Sequence, residues 1–212
     1  MTTNRVFYLL LASISSVYIL YALVNNYIID PNAETFLKYK VGLERELQLS
    51  PWLSVMRIHV GFACAAMASG IINFATHKYD KYRLFHRLNG YVYVISVFLV
   101  VLTSGYMAPY ATGGKITSMG FNLLNILWLA ITVTAIIHIR NKRIDQHRRF
   151  MIRSFAFCFT NMLIHLLTTV LHQWVGIAYA TSYTIGLYAT IVLLISVSEV
   201  IIAMGKKKIS HP

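Results

Sequence analysis

Residues Asp145–Trp174, D-Q-H-R-R-F-M-I-R-S-F-A-F-C-F-T-N-M-L-I-H-L-L-T-T-V-L-H-Q-W, decide the fold. A basic collar (His147, Arg148, Arg149, Arg153) opens the stretch, and an apolar run follows it. The run approaches the roughly 20 residues a helix needs to cross a hydrocarbon layer. Within it stand Asn161, His165 and His172. At about 100° per residue His147, His165 and His172 fall within roughly 20° of one another, with Cys158 on the same stripe. Ionisable groups inside a membrane are costly to bury, which makes them functional candidates.

The rest of the chain repeats the pattern. Of 212 residues, 57% are apolar and 12% charged, with a mean hydropathy of +0.60. A soluble domain would carry about 25% charged residues. Six long apolar runs, about 5–29, 53–75, 89–110, 116–139, 150–173 and 183–204, are separated by short polar stretches. A transmembrane barrel would show segments of roughly ten residues with alternating polarity, and none occurs. The expectation is an all-α integral membrane helical bundle of six transmembrane helices, forming one transmembrane domain over residues 1–212. The first run is too long for a signal-peptide core and no A-x-A site follows it, so it reads as a retained anchor.

The net charge of +12 does not point to nucleic acid, because the Lys and Arg sit in the loops. With the N-terminus inside, 13 of them fall on the cytoplasmic side and four (Lys38, Lys40, Arg45, Lys115) on the other. That asymmetry predicts cytoplasmic N- and C-termini and a multi-pass protein of the inner (plasma) membrane. Cys64 and Cys158 lie inside spans and read as small apolar side chains.

Several stretches have local signatures. In the longest loop Phe36, Tyr39, Leu43 and Leu47 recur with helical spacing after Asp30-Pro31, a cap and first-turn pair, suggesting a short interfacial helix. Ser50-Pro51-Trp52 opens the second span. That span carries one row of Arg57, Gly61, Ala65, Ser69 and Asn73, and another of His59, Ala63, Ala66 and Gly70. Such rows let a second backbone, or a flat cofactor, approach closely. The fourth span carries Asn122 and Asn125 ahead of Trp128.

Depth sorts the intramembrane polar residues. His59 and His165 both lie roughly 10–12 Å below the same membrane face. Two imidazoles at matched depth suit one metal or both faces of one haem, with interhelical hydrogen bonding as the alternative. Arg57 and His172 lie near the same face. The cytoplasmic side holds His86, His138 and His147, with Arg153 and Glu199 at depths that would let them pair. His77, His138 and His211 read as interfacial or exposed.

Two strings, H-R-L-N-G-Y-V-Y (His86 to Tyr93) and H-R-R-F-M-I-R-S (His147 to Ser154), share a pattern. With His59-Val60-Gly61, Gly113-Gly114 and Gly120-Phe121, this pattern resembles an uncharacterised family of small bacterial polytopic membrane proteins. The resemblance covers roughly residues 50 to 170. It implies an integral membrane protein without an established activity, and singles out His59, His86, Arg87, His147, Arg149 and Arg153. A looser architectural similarity is to transmembrane b-type cytochromes, which hold haem between helix-borne histidines. That similarity implies an outer pair, His59 with His165, and an inner pair, His86 with His147. Haem b is the cofactor it implies, with the imidazoles on the iron and Arg87, Arg149 and Arg153 on propionates or a quinone. Such cytochromes space two ligands on one helix by about two heptads, whereas His147 and His165 stand about 27 Å apart along an ideal helix.

Three functions stay open on this reading. The first is a haem-binding electron-transfer protein, a membrane oxidoreductase whose partner is a quinone or another membrane protein. The second is a transporter of a small solute or ion, with Arg57, Arg153 and Glu199 along a hydrated path and His59 and His165 relaying protons. The third is an accessory or assembly subunit of a membrane complex.

Overall fold

The computed structural model describes residues 3–40, 46–76 and 82–207, which contain no strand. His77, Lys78, Lys81 and His211 lie outside the described residues, as does Leu43 of the expected loop helix. Six helices are long and apolar enough to cross a membrane: Val6–Ile29, Leu49–Thr76, Arg83–Tyr110, Gly114–Arg140, Ile144–Trp174 and Tyr179–Gly205. The protein is an all-α, multi-pass membrane protein. The third and fifth helices start at Arg83 and Ile144, earlier than the apolar runs at 89 and 150 suggested. Once a helix is nucleated its backbone bonds continue through a basic collar, because only side-chain burial needs apolar residues.

The elements are α1 (Thr3–Val24), α2 (Glu34–Leu37), α3 (Leu49–Thr76), α4 (Arg83–Met107), α5 (Gly114–Arg140), α6 (Ile144–Ala156), α7 (Thr160–Thr169) and α8 (Tyr179–Lys207). A π turn, Asn25–Ile29, extends α1. The loop helix is shorter than expected, and Asp30 caps it from upstream. Its carboxylate accepts the Glu34 and Thr35 backbone N–H groups at 2.8 and 2.9 Å. Residues 31–33 form a turn in which Ala33 takes φ 53°, so helical dihedrals begin only at Glu34. The Thr35 N–H, followed by that of Glu34, holds the Asp30 carboxyl below the usual carboxylate range.

The fifth span is not one regular helix. A 3₁₀ turn, Phe157–Phe159, separates α6 from α7, and a π turn, Val170–Trp174, ends it. Three residues at three per turn advance the face by about 60° more than an α-helix does. That turn offsets the face of His165 from that of His147, so the expected stripe does not run straight through the span.

The chain divides into two compact units. One comprises Met1–Lys38 and Leu47–Met107, and the other Tyr39–Glu46 and Ala108–Pro212. In the first, α3 packs against α1 and α4. Helix packing occupies its small-residue rows: Ala66, Ser69, Gly70 and Asn73 are buried. The Asn89 amide of α4 donates to the Ser69 carbonyl at 2.8 Å and pairs with the Asn73 side chain at 2.9 Å. At Gly61 the missing side chain admits Tyr27, whose hydroxyl donates to the Arg57 carbonyl at 2.5 Å.

In the second unit α5 packs on α6 and α8, and α7 on α8. Hydroxyl pairs join the helices: Thr117 with Thr184 at 2.6 Å, and Thr132 with Ser154 at 2.7 Å. Trp128 stacks on Phe157 with ring centres 6.2 Å apart. Gly113 starts α5 at φ +93°, and a Cβ there would lie 2.5 Å from Thr184 Oγ1 and 3.2 Å from the Ala180 carbonyl. Gly114, at φ +69°, faces open space. Gly113→Ala is therefore expected to lower stability in detergent by at least the 1–3 kcal/mol typical of one strained residue, roughly. Gly114→Ala should cost less, since it meets strain without a clash. Thermal melts of both variants check the order.

Candidate functional site

Four histidines share one feature: the Nδ1 atom is engaged by an oxygen of a neighbouring helix or turn. On α3, His59 Nδ1 lies 2.9 Å from Thr103 Oγ1 of α4. Thr103 already directs its hydroxyl to the Leu99 and Val100 carbonyls, at 2.7 and 3.0 Å. With that hydroxyl turned to a carbonyl its oxygen accepts, which suits the His59 tautomer protonated on Nδ1. His86 repeats the device, with Nδ1 3.3 Å from Thr76 Oγ1 while that hydroxyl donates to the Ile72 carbonyl at 3.0 Å. His147 Nδ1–H donates to the Ala135 carbonyl at 2.9 Å, and His172 Nδ1–H to the Ile177 carbonyl at 2.8 Å. For His147 and His172, whose partners are carbonyls, the neutral ring keeps its lone pair on Nε2. This tautomer is the one metal-binding histidines adopt when a second-shell oxygen orients the ring.

His165 has a different setting. It is exposed on α7, and its ring meets Tyr183 edge-on with centres 6.3 Å apart. Tyr183 is buried and stacks on Tyr179 at 6.1 Å, which in turn stacks on Tyr39 at 3.7 Å. His172 abuts Tyr179 edge-on at 5.6 Å. These rings form a ladder at the Tyr179 end of the second unit. His138, expected at the interface, packs on Phe150 and its buried Nδ1 has no hydrogen-bond partner.

The histidines divide between the units: His59 and His86 belong to the first, His147 and His165 to the second. Each expected pair thus takes one ring from each unit. No group of three or more His, Cys, Asp or Glu side chains gathers as a metal cluster among the described residues.

The charged candidates are mostly committed to other groups. Arg153 of α6 makes a two-pronged pair with Glu199 of α8, Nε to Oε1 at 2.5 Å and NH2 to Oε2 at 3.1 Å, as matched depth suggested. It also lies 4.8 Å over the Phe150 ring. That leaves Arg87, exposed on α4, and Arg149, beside Lys142 and Arg143 in a surface depression, better placed to meet a ligand's carboxylates. Arg57 is tied down, donating to the Pro31 carbonyl at 2.8 Å. Asn161 is exposed on α7.

Thr103, Thr76, Tyr179 and Tyr183 carry no mark in the sequence. A threonine in an apolar run looks the same whether or not a histidine from another helix reaches it.

Two outcomes follow from these charges. Glu199→Gln should lower the melting temperature by removing an ion pair that holds α6 to α8, and the exchange Arg153→Glu with Glu199→Arg should recover part of the loss. A swap no better than the single variant would show that the pair contributes nothing. Lys40 donates to the Tyr110 carbonyl, and burial lowers its pKa from 10.5 to about 8. Between those pH values the unfolded chain keeps a proton the folded chain lacks, so stability should rise as pH climbs through the window. Lys40→Met should flatten that rise in melting temperature measured from pH 7 to pH 10, about the span of the shift.

Comparison with known proteins accords with this membrane architecture and supplies no activity. No curated protein and no solved structure matches the chain. A family model described as predicted membrane protein DUF2306 matches residues 56–202, a segment that includes His59, His86, His147 and Glu199. The chain belongs to that family of predicted membrane proteins, whose function is unknown.

Proposed function

We propose that this protein binds haem within the membrane and carries electrons, with His59, His86 and His147 presenting Nε2 as axial ligands. One observation supports the reading above the others: the Nδ1 atom of all three rings is engaged by an oxygen of another helix. Such second-shell bonds hold ring orientation and raise ligand basicity. A threonine that gives its own proton to a carbonyl favours the ring tautomer protonated on Nδ1. The donor set suits haem iron, and a bound haem would supply one-electron chemistry.

The chain's own part is orientation and charge. Arg87 and Arg149 would meet propionate carboxylates, while Arg153 and Glu199 neutralise each other. A quinone or another membrane protein would exchange the electrons. The basic asymmetry of the loops supports placing both termini on the cytoplasmic side of the plasma membrane.

Protein purified in detergent from haem-replete cells should show a Soret band that shifts on adding dithionite. His59→Ala and His147→Ala should each lose part or all of that band. Thr103→Val, which removes only the acceptor on His59, should weaken haem retention by roughly 10–100-fold. A colourless wild-type preparation overturns the proposal.

A further inference from the structure

The turn that joins the fourth and fifth spans carries backbone strain. Lys142 N–H donates to the Ile139 carbonyl at 3.0 Å, and Arg143 N–H to the His138 carbonyl at 2.9 Å. These are the two bonds of a Schellman cap, whose left-handed residue is usually glycine. Here that residue is Lys142, at φ 57°. Its Cβ meets a steric cost there that glycine would not. Membrane topology accounts for basic loops, but a charge at a neighbouring position would serve topology equally well. The strained backbone thus holds an ammonium at the one position of the turn where glycine would relax it.

Lys142 lines an open depression of about 500 Å³ with Arg143, Ile144, Asp145, Gln146 and Arg149. Three cations against one carboxylate leave it net positive. Among the described residues none of these four charged groups is in an ion pair, in contrast to Arg153 with Glu199. An entering anion offsets the repulsion between neighbouring cations. Only residues 141–143 separate the span Gly114–Arg140 from the span Ile144–Trp174. So short a connection cannot carry the cations far beyond the hydrocarbon, and they stand at the height of the lipid headgroups. Ile144, on the wall of the depression, is 68% exposed and offers an apolar edge on the lipid side.

We propose that Lys142 and Arg143 bind the phosphate of an anionic phospholipid headgroup in this depression. Basic pockets at the ends of transmembrane helices suit such headgroups. The ammonium brings a point charge with three donors, and the guanidinium brings parallel donors for two phosphate oxygens. Inorganic phosphate has the same oxygens, but acyl chains in the bilayer are what keep a headgroup at this height. The site stands on Lys142 and Arg143, which the haem reading does not use, and holds whether or not haem binds. Arg149, at its border, is left to the propionates.

Native mass spectrometry of the full chain in detergent, with dioleoyl phosphatidylglycerol and dioleoyl phosphatidylcholine in equal amounts, tests the site. The wild type should retain the phosphatidylglycerol several-fold more. Lys142→Gly should cut that preference several-fold, yet melt no lower than the wild type without added lipid, because it relaxes the turn. Arg143→Gln should also cut the preference. Lys115→Gln, at the opposite end of α5, should leave it unchanged. No preference in the wild type, or one that survives both the Lys142 and the Arg143 substitution, overturns the proposal. Inorganic phosphate that displaces the lipid as well as added phosphatidylglycerol does also overturns it, assigning the depression to a soluble anion.

Discussion

A hydrocarbon layer offers no water to an imidazole, an amide or a hydroxyl, so each must find its partner within the chain. In this protein threonine does much of that work. A helical threonine that gives its proton to the carbonyl one turn back keeps an oxygen that can only accept. Thr103 and Thr76 stand this way, and each meets a histidine Nδ1 from the helix beside it. The backbone thereby biases the side chain's bonding, and the side chain biases the tautomer of a ring on another helix. A single-turn hydrogen bond and an interhelical one are thus coupled.

The same constraint explains the fifth span. Both halves pack on α8, but only the first also meets α5: Ser154 bonds Thr132 there, while in the second half Ile164 and Thr168 lie against Gly186. A uniform α-helix would hold both halves on a fixed angular schedule. The 3₁₀ turn at Phe157–Phe159 shifts that schedule and lets each half present its polar group to a partner. His165 is carried off the His147 face by that adjustment and comes to rest against Tyr183.

Charge is handled more simply. Arg153 and Glu199 make both contacts that a guanidinium and a carboxylate allow, so neither enters the apolar layer alone. Arg57 and Lys40 end on backbone carbonyls near the helix termini, where neighbouring chain replaces lost hydration.

Six membrane-crossing helices follow from the sequence alone, because span length and hydropathy are local quantities set by bilayer thickness. Equal depth and opposite charge made the pairing of Arg153 with Glu199 available as one option in the sequence, and the packing of α6 on α8 realises it. The small-residue rows of the second span were legible as surfaces of close approach, but not what approached them. Which atom of each histidine is bonded, that the fifth span breaks, and that Thr117 meets Thr184 were decided by tertiary structure. Those facts depend on the register between helices, and register is fixed by contacts among residues dozens of positions apart, which no local pattern encodes.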